Sequence, residues 1–333
     1  MTEDRRFPFP VLLADIGGTN ARFVLKTAPG APASAMVKLG TDAFPNFAEA
    51  ARAAIVQGGF PAPKSLLVGA AGPVIGRGVH LTNARWTIDG PDILSSLGLE
   101  QGMLLNDFET LALTVPALMP GDYCTIGPDR AGHGLAAVVG PGTGLGVGAV
   151  REVRGRILPL SSEGGHMALA AGTAEEAAVL ARLVPGLQRP TAEQALAGPG
   201  LPRIAAALAA LEGAPDPMWS PADVIAKADE NALARRTVQV WLDLLARYCG
   251  DIALAFLAEG GVWLAGGILP RMVQMIDGCR FHRLFAEHPT HAGWLALRPV
   301  RLITATEPAF IGLGALADAP ERQELNWQDR LWR

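Results

Sequence analysis

Two glycine turns and a handful of acids carry the first chemical signal in this chain. In "LLADIGGTNARFVL" (Leu12–Leu25) an apolar run ends at Asp15, passes through Gly17-Gly18-Thr19-Asn20 and resumes at Ala21. In "VVGPGTGLGVGAV" (Val138–Val150) the same plan returns around Gly142-Thr143-Gly144. A strand, a glycine turn and a second strand can aim backbone N–H groups at phosphate oxygens with no bulky side chain in the way. Thr19, Asn20 and Thr143 add hydroxyl or amide hydrogen bonds. A carboxylate at a strand end, Asp15, suits Mg²⁺ held through water, because that ion keeps several of its waters. Either turn alone reads equally well as a structural hairpin. The pair, one of them with a strand-end acid, points to a nucleotide.

Three further stretches hold polar groups between apolar ones. "LLNDFE" sets Asn106 and Asp107 after an apolar run. Phosphoryl transfer to a hydroxyl needs alignment, neutralised charge on the γ-phosphate and a proton acceptor, and Asp107 is placed to accept. The competing reading is a helix N-cap ahead of Phe108–Leu113, a role that Asn106 can fill instead. "SSEGGHMAL" puts Glu163 and His166 three apart around Gly164-Gly165, and "AEQALAGPGL" holds Glu193. Carboxylates, amides and imidazole hold a neutral polyhydroxylated ligand by directional hydrogen bonds. His166 alone reads as a structural histidine; the compact polar turn reads as a ligand site. Glu163 and His166 as a metal pair lack further ligands nearby in sequence.

These residues sit in an α/β pattern. Short apolar runs recur at Val11–Ile16, Ser65–Ala71, Gly102–Asn106, Leu135–Gly140 and Gly261–Ala265, with helical patterns at Asn46–Ile55, Gly90–Leu97 and Thr173–Leu183. Asn231–Leu257 is apolar on several faces, which predicts a buried helix or helix pair. "PALMP" (Pro116–Pro120) marks a crossover between domains, and Gly198-Pro199-Gly200 reads as an ordinary loop.

Composition narrows the classes. The chain has 333 residues, half of them hydrophobic, and a net charge of −4 with no basic block. Nucleic acid is therefore not expected as a partner, since phosphate neutralisation needs clustered Lys and Arg. Nor is a membrane, because the apolar runs are broken well short of spanning length. Three widely separated cysteines (Cys124, Cys249, Cys279) make neither a disulfide framework nor a thiolate zinc site. With no signal-like segment before the first strand, a cytoplasmic location is expected. There is no Gly-Lys dipeptide, so no P-loop. Gly144-x-Gly146-x-x-Ala149 matches a dinucleotide fingerprint only loosely, because it runs into a strand where that fingerprint opens a helix.

The ordered set "ADIGGTNARFVL", "LTNARW", "LLNDFETLA", "GPGTGLGVG", "SSEGGHMAL", "AEQALAGPGL" and "WLAGGILPR" resembles the bacterial glucokinase family over nearly the whole chain. The resemblance implies an α/β, two-domain actin-like ATPase (ribonuclease H-like) fold with a deep interdomain cleft. Residues 1–117 with 307–333 would form the smaller domain and 118–306 the larger. It implies an ATP- and Mg²⁺-dependent kinase that makes glucose 6-phosphate, expected as a homodimer. Asp15, Gly17, Gly18, Thr19 and Asn20, with Gly142, Thr143 and Gly144, would hold the ATP phosphates. Gly266 and Gly267 of "LAGGILP", a strand, two glycines and a helix start, would lie near the adenosine. Asn106, Asp107, Glu163, His166 and Glu193 would bind glucose, with Asp107 the general base. The sequence departs from the family pattern at Met167-Ala168 and at Pro141. Rival readings are a kinase for mannose, fructose or an amino sugar, and a catalytically silent sugar sensor.

Overall fold

The run Val11–Ile16 forms a strand in which every residue but Asp15 is buried. It pairs in parallel with Ser65–Ala70, which pairs in parallel with Gln101–Asn106. Such near-continuous apolar strands need cover on both faces of the sheet. Asn20–Lys26 returns antiparallel to the first strand, and Val37–Gly40 pairs beside it. The short strand Leu331–Trp332 adds to the opposite edge, antiparallel to Gln101–Asn106. The sheet thus runs, edge to edge, 331–332, 101–106, 65–70, 11–16, 20–26, 37–40. These coordinates are a computed structural model that describes residues 5–81, 85–184, 186 and 189–333. Residues 82–84 of the "LTNARW" motif lie outside them.

Local chemistry fixes the helices on this sheet. Asn46 caps Phe47–Gln57 by accepting the Glu49 N–H at 2.9 Å. Asp89 caps Gly90–Leu97, which Gly98 ends in the left-handed conformation at φ +65°. Asp107–Thr114 leaves the end of strand 101–106, and Ala309–Asp318 packs against it. A Cβ at Gly312 would lie 2.2 Å from the Thr110 carbonyl, so only glycine permits that approach. Leu12, Phe23, Phe47, Leu66, Trp86 and Trp332 are among the residues of the core.

These elements belong to one of two compact units, Met1–Leu118 with Val150–Ser161 and Thr306–Arg333. The other is Met119–Ala149 with Ser162–Ala305. The second sheet has strand order 156–162, 145–153, 136–141, 262–264, 300–303, 123–125. Ala136–Pro141, Val262–Leu264 and Val300–Ile303 are parallel, and Tyr123–Thr125 is antiparallel at the edge. The Asn231–Leu257 pattern is a single helix, Ala232–Phe256, with Trp241, Leu244 and Leu245 fully buried. It packs against the helices Gly200–Leu211 and Gly278–Phe285, which is why its apolar residues spread over several faces.

Two local expectations change. "LAGGILP" starts no α-helix; a 3₁₀ turn, Leu269–Arg271, follows its glycines, and the next helix opens on its own cap, Asp277. Gly198-Pro199-Gly200 is more than a loop. Pro199 opens the Gly200–Leu211 helix, and the Gly198 N–H donates to the Gly142 carbonyl at 2.8 Å. Among the described residues no helix is long and apolar enough to cross a membrane.

Candidate active site

In the first unit the register gathers three strand ends. Asp15 stands opposite Gly69, and Asn106 opposite Ala70. The glycine turn and the Asn106–Asp107 turn therefore leave the same carboxyl edge of one sheet, where open α/β sheets place their ligands. The glycine turn is tied from outside: Thr41 Oγ1 donates to the Gly18 carbonyl at 2.8 Å, and the Thr41 N–H to the Thr19 carbonyl at 3.1 Å. Nothing in the fold demands glycine at position 17. Its φ is not positive, and an added Cβ would meet only the Asn20 carbonyl at 3.7 Å. Glycine there keeps the approach to the turn clear.

Asp15 is partly buried, with its Oδ2 3.1 Å from the Arg22 guanidinium, and Arg22 also pairs with Glu307. Burial pushes the Asp15 pKa up to about 6; Arg22 pulls it down and Glu307 adds to the rise. No group of three or more His, Cys, Asp or Glu able to hold a metal occurs among the described residues. Mg²⁺ bound beside phosphates asks less, one or two carboxylates and several waters. Asp15 fits that demand.

The Asn106–Asp107 turn settles which residue caps. Asn106 is the N-cap: its Oδ1 accepts the Phe108 N–H at 2.9 Å, and its Nδ2 donates to the Gly72 carbonyl at 3.0 Å. Asp107 is the first helical residue, its Oδ1 3.1 Å from the same N–H. Glu109 closes the capping box by accepting the Asn106 N–H at 3.1 Å. Sequence reasoning overlooked Glu109, although the N-x-x-E spacing of a capping box was legible in "NDFE".

The second unit gathers its own set around Leu145. Glu193 Oε2 accepts the Leu145 N–H at 2.9 Å, which fixes that acid against the Gly142–Gly144 turn. The "EGGH" turn backs onto the same residue. A Cβ at Gly165 would fall 1.8 Å from the Leu145 carbonyl oxygen, and one at Gly164 would meet Val147 at 3.1 Å. Both glycines are buried, while the Glu163 and His166 side chains are 76% and 59% exposed with 3.7 Å between Oε2 and Nε2. Gly266, at φ +90°, sits against the Pro141 carbonyl, and Gly267 faces open space. Gly198, also overlooked in sequence, completes this group through Gly142.

Glycine turns at sheet ends in two α/β units, one beside a strand-end acid, are the architecture of the actin-like sugar kinases. A family model described as Glucokinase matches residues 12–320. A glucokinase of Aromatoleum aromaticum is 36% identical over 315 residues, covering 93% of this chain and 95% of that protein. The crystal structure of a glucokinase from an Antarctic psychrotroph superposes with a TM-score of 0.81 at 31% identity, over 92% of this chain and 98% of that one. A ROK family glucokinase from Streptomyces griseus, solved with glucose and AMPPNP, shares the fold at a TM-score of 0.64 and 21% identity, over 92% and 99% of the two chains. The chain belongs to the glucokinase family.

Proposed function

We propose that this chain transfers the γ-phosphoryl group of ATP to the 6-hydroxyl of D-glucose, with Asp107 as general base. Family membership supports the reaction, and the Streptomyces griseus relative was captured with glucose and an ATP analogue. The observation that carries the catalytic assignment is the division of labour at "ND". Asn106 makes the cap, and Asp107 opens the helix at the sheet edge that also bears the Asp15 turn.

The reaction balances simply. The sugar O6 attacks the γ-phosphorus and a new O–P bond forms. The bond to the β-bridging oxygen breaks, and ADP leaves with its electron pair. The O6 proton passes to the Asp107 carboxylate, and such transfer is worth about 10²–10⁴ in rate. Phosphates rest on Gly17–Asn20 and Gly142–Gly144, and the adenosine lies near Gly266 and Gly267. Glucose hydroxyls are held by Asn106, Glu163, His166 and Glu193. Mg²⁺, when bound, neutralises phosphate charge, and Asp15 holds it through water.

Residues 1–117 with 307–333 and residues 118–306 act as the two functional domains in this reading. The compact units break nearby, at 118/119 and 305/306, which supports the division, while Val150–Ser161 clusters with the first. A cytoplasmic homodimer goes with the reading through the family, and sedimentation of the purified protein tests the dimer. The decisive experiment for function is an ATP-coupled assay over glucose, mannose, fructose and glucosamine. The highest kcat/KM is expected for glucose. A higher value for another hexose selects the rival kinase, and sugar binding in calorimetry without turnover selects the silent sensor.

A further inference from the structure

The catalytic turn is held by a residue far away in sequence. Glu109, the acid that accepts the Asn106 N–H, has a side chain only 7% exposed. A buried carboxylate needs a compensating charge, and here it is Arg330. A single guanidinium nitrogen, Nη1, lies 2.8 Å from Oε1 and 2.6 Å from Oε2. Arg330 closes the short helix Trp327–Arg330 and leads directly into the edge strand Leu331–Trp332. That strand is in register with the catalytic strand, Leu331 opposite Met103 and Trp332 opposite Gly102. Trp332 is fully buried over Gly90 and Gly102, where an added Cβ would come within 2.1 and 2.4 Å of its ring. The guanidinium is therefore anchored from behind by a strand and an aromatic lock.

From this chain of contacts we infer that Arg330 and Glu109 are positioning residues for catalysis, holding the Asn106–Asp107 turn in the geometry at which Asp107 meets the sugar hydroxyl. The inference rests on the proposed role of Asp107. Oε2 of Glu109 takes both the Arg330 nitrogen and the Asn106 N–H. Removing the cation leaves a buried anion free to rotate toward water, and the N-cap amide loses its acceptor. The strand end and the first helical turn then gain freedom at the residue beside the base. Reaction geometry is sensitive to such slack, since a misplacement of about 1 Å can cost roughly 10²-fold in rate. A capping box with an ion pair could also serve stability alone, so the test must separate the two roles.

The contact geometry supplies the discriminating variant. Because one nitrogen bridges both oxygens, a lysine ammonium can replace it, whereas methionine keeps the bulk without the charge. Arg330→Met is expected to lower kcat about tenfold to a hundredfold, with the KM values for glucose and ATP within about twofold. Arg330→Lys should restore most of the rate. In an Asp107→Asn background, Arg330→Met should cause no further fall, because the group being positioned is gone. An unchanged kcat in folded Arg330→Met, or an equal loss in both backgrounds, overturns the inference. Amide hydrogen exchange at Asn106 and Phe108 gives a second readout that needs no turnover. Faster exchange in Arg330→Met and recovery in Arg330→Lys are expected, and unaltered exchange overturns the inference even if glucose proves not to be the substrate. Absence of turnover in the parent protein would instead strike the proposed function.

Discussion

The "ND" turn and the "EGGH" turn invite comparison, since both supply groups to the same proposed reaction. Around Asn106–Asp107 the side chains are engaged with the protein itself: cap, capping box and buried ion pair all converge there. Around Glu163–His166 the backbone is the fixed part. Gly164 and Gly165 are pressed onto Val147 and Leu145, while the Glu163 and His166 side chains are exposed. In the proposed reaction the difference matches what each turn would do. Asp107 as the proposed base would have to be aimed in advance, because alignment is where the rate comes from. Glu163 and His166 as the proposed sugar contacts would need only a firm platform.

The comparison breaks most easily at Asp107. Asp107→Asn keeps the size and leaves Asn106 as cap, but it cannot take a proton. Its kcat should fall by roughly 10²–10⁴, with glucose binding by calorimetry and Tm nearly unchanged. Full activity in this variant would reduce Asp107 to a helix-end residue. Next comes Gly165→Ala, which drives a methyl into the Leu145 carbonyl. Overpacking of this kind costs about 1–3 kcal/mol, so Tm should drop and glucose KM rise together. Glu163→Gln and His166→Gln should separate those effects. With exposed side chains they leave Tm alone, yet they weaken sugar contacts by about 1–3 kcal/mol each, read as glucose KM rising far more than ATP KM. Equal rises for both substrates would make the "EGGH" turn a scaffold.

The smallest effect concerns Asp15 and acidity. Its folded pKa, near 6, lies above the ordinary 3.8, so the native state binds the proton more tightly than the unfolded chain. Stability from this group is fully present below about pH 4 and is lost as pH rises through about 6. At neutral pH the partly buried carboxylate is therefore a net cost. Asp15→Asn should be the more stable protein at pH 7 and should flatten the stability profile between pH 4 and 6. Urea unfolding of parent and variant across that range measures it; a stability difference that does not grow with pH through the window would contradict the assignment.

Much of this was legible because the signals are local. "VLLADI" reads as a buried strand from its own residues, and Gly98 and Asn46 mark helix ends by their own chemistry. The paired glycine turns could be read because each lies in one short stretch. What escaped is non-local. Arg330 meets Glu109 across 221 positions, and no periodicity or spacing announces a contact of that kind. Gly198 and Gly142 likewise meet across a long stretch of sequence. Glu193 could be singled out as a polar residue among apolar ones, but its bond to the Leu145 N–H could not be read.

The edge strand Leu331–Trp332 also sets a clock on synthesis. Strand 101–106 is translated long before its outer partner, because the whole of Met119–Ala305 comes between them. At about 5–20 residues per second, the 221 positions separating Glu109 from Arg330 correspond to a wait of roughly 10–40 s. During that interval a nascent chain carries an open, apolar strand edge, the surface most prone to pairing with a neighbour. The second unit is completed only at Ala305, late in that interval. Aggregation during overproduction should therefore begin at residues 101–106, and slower translation, which lengthens the wait, should make it worse.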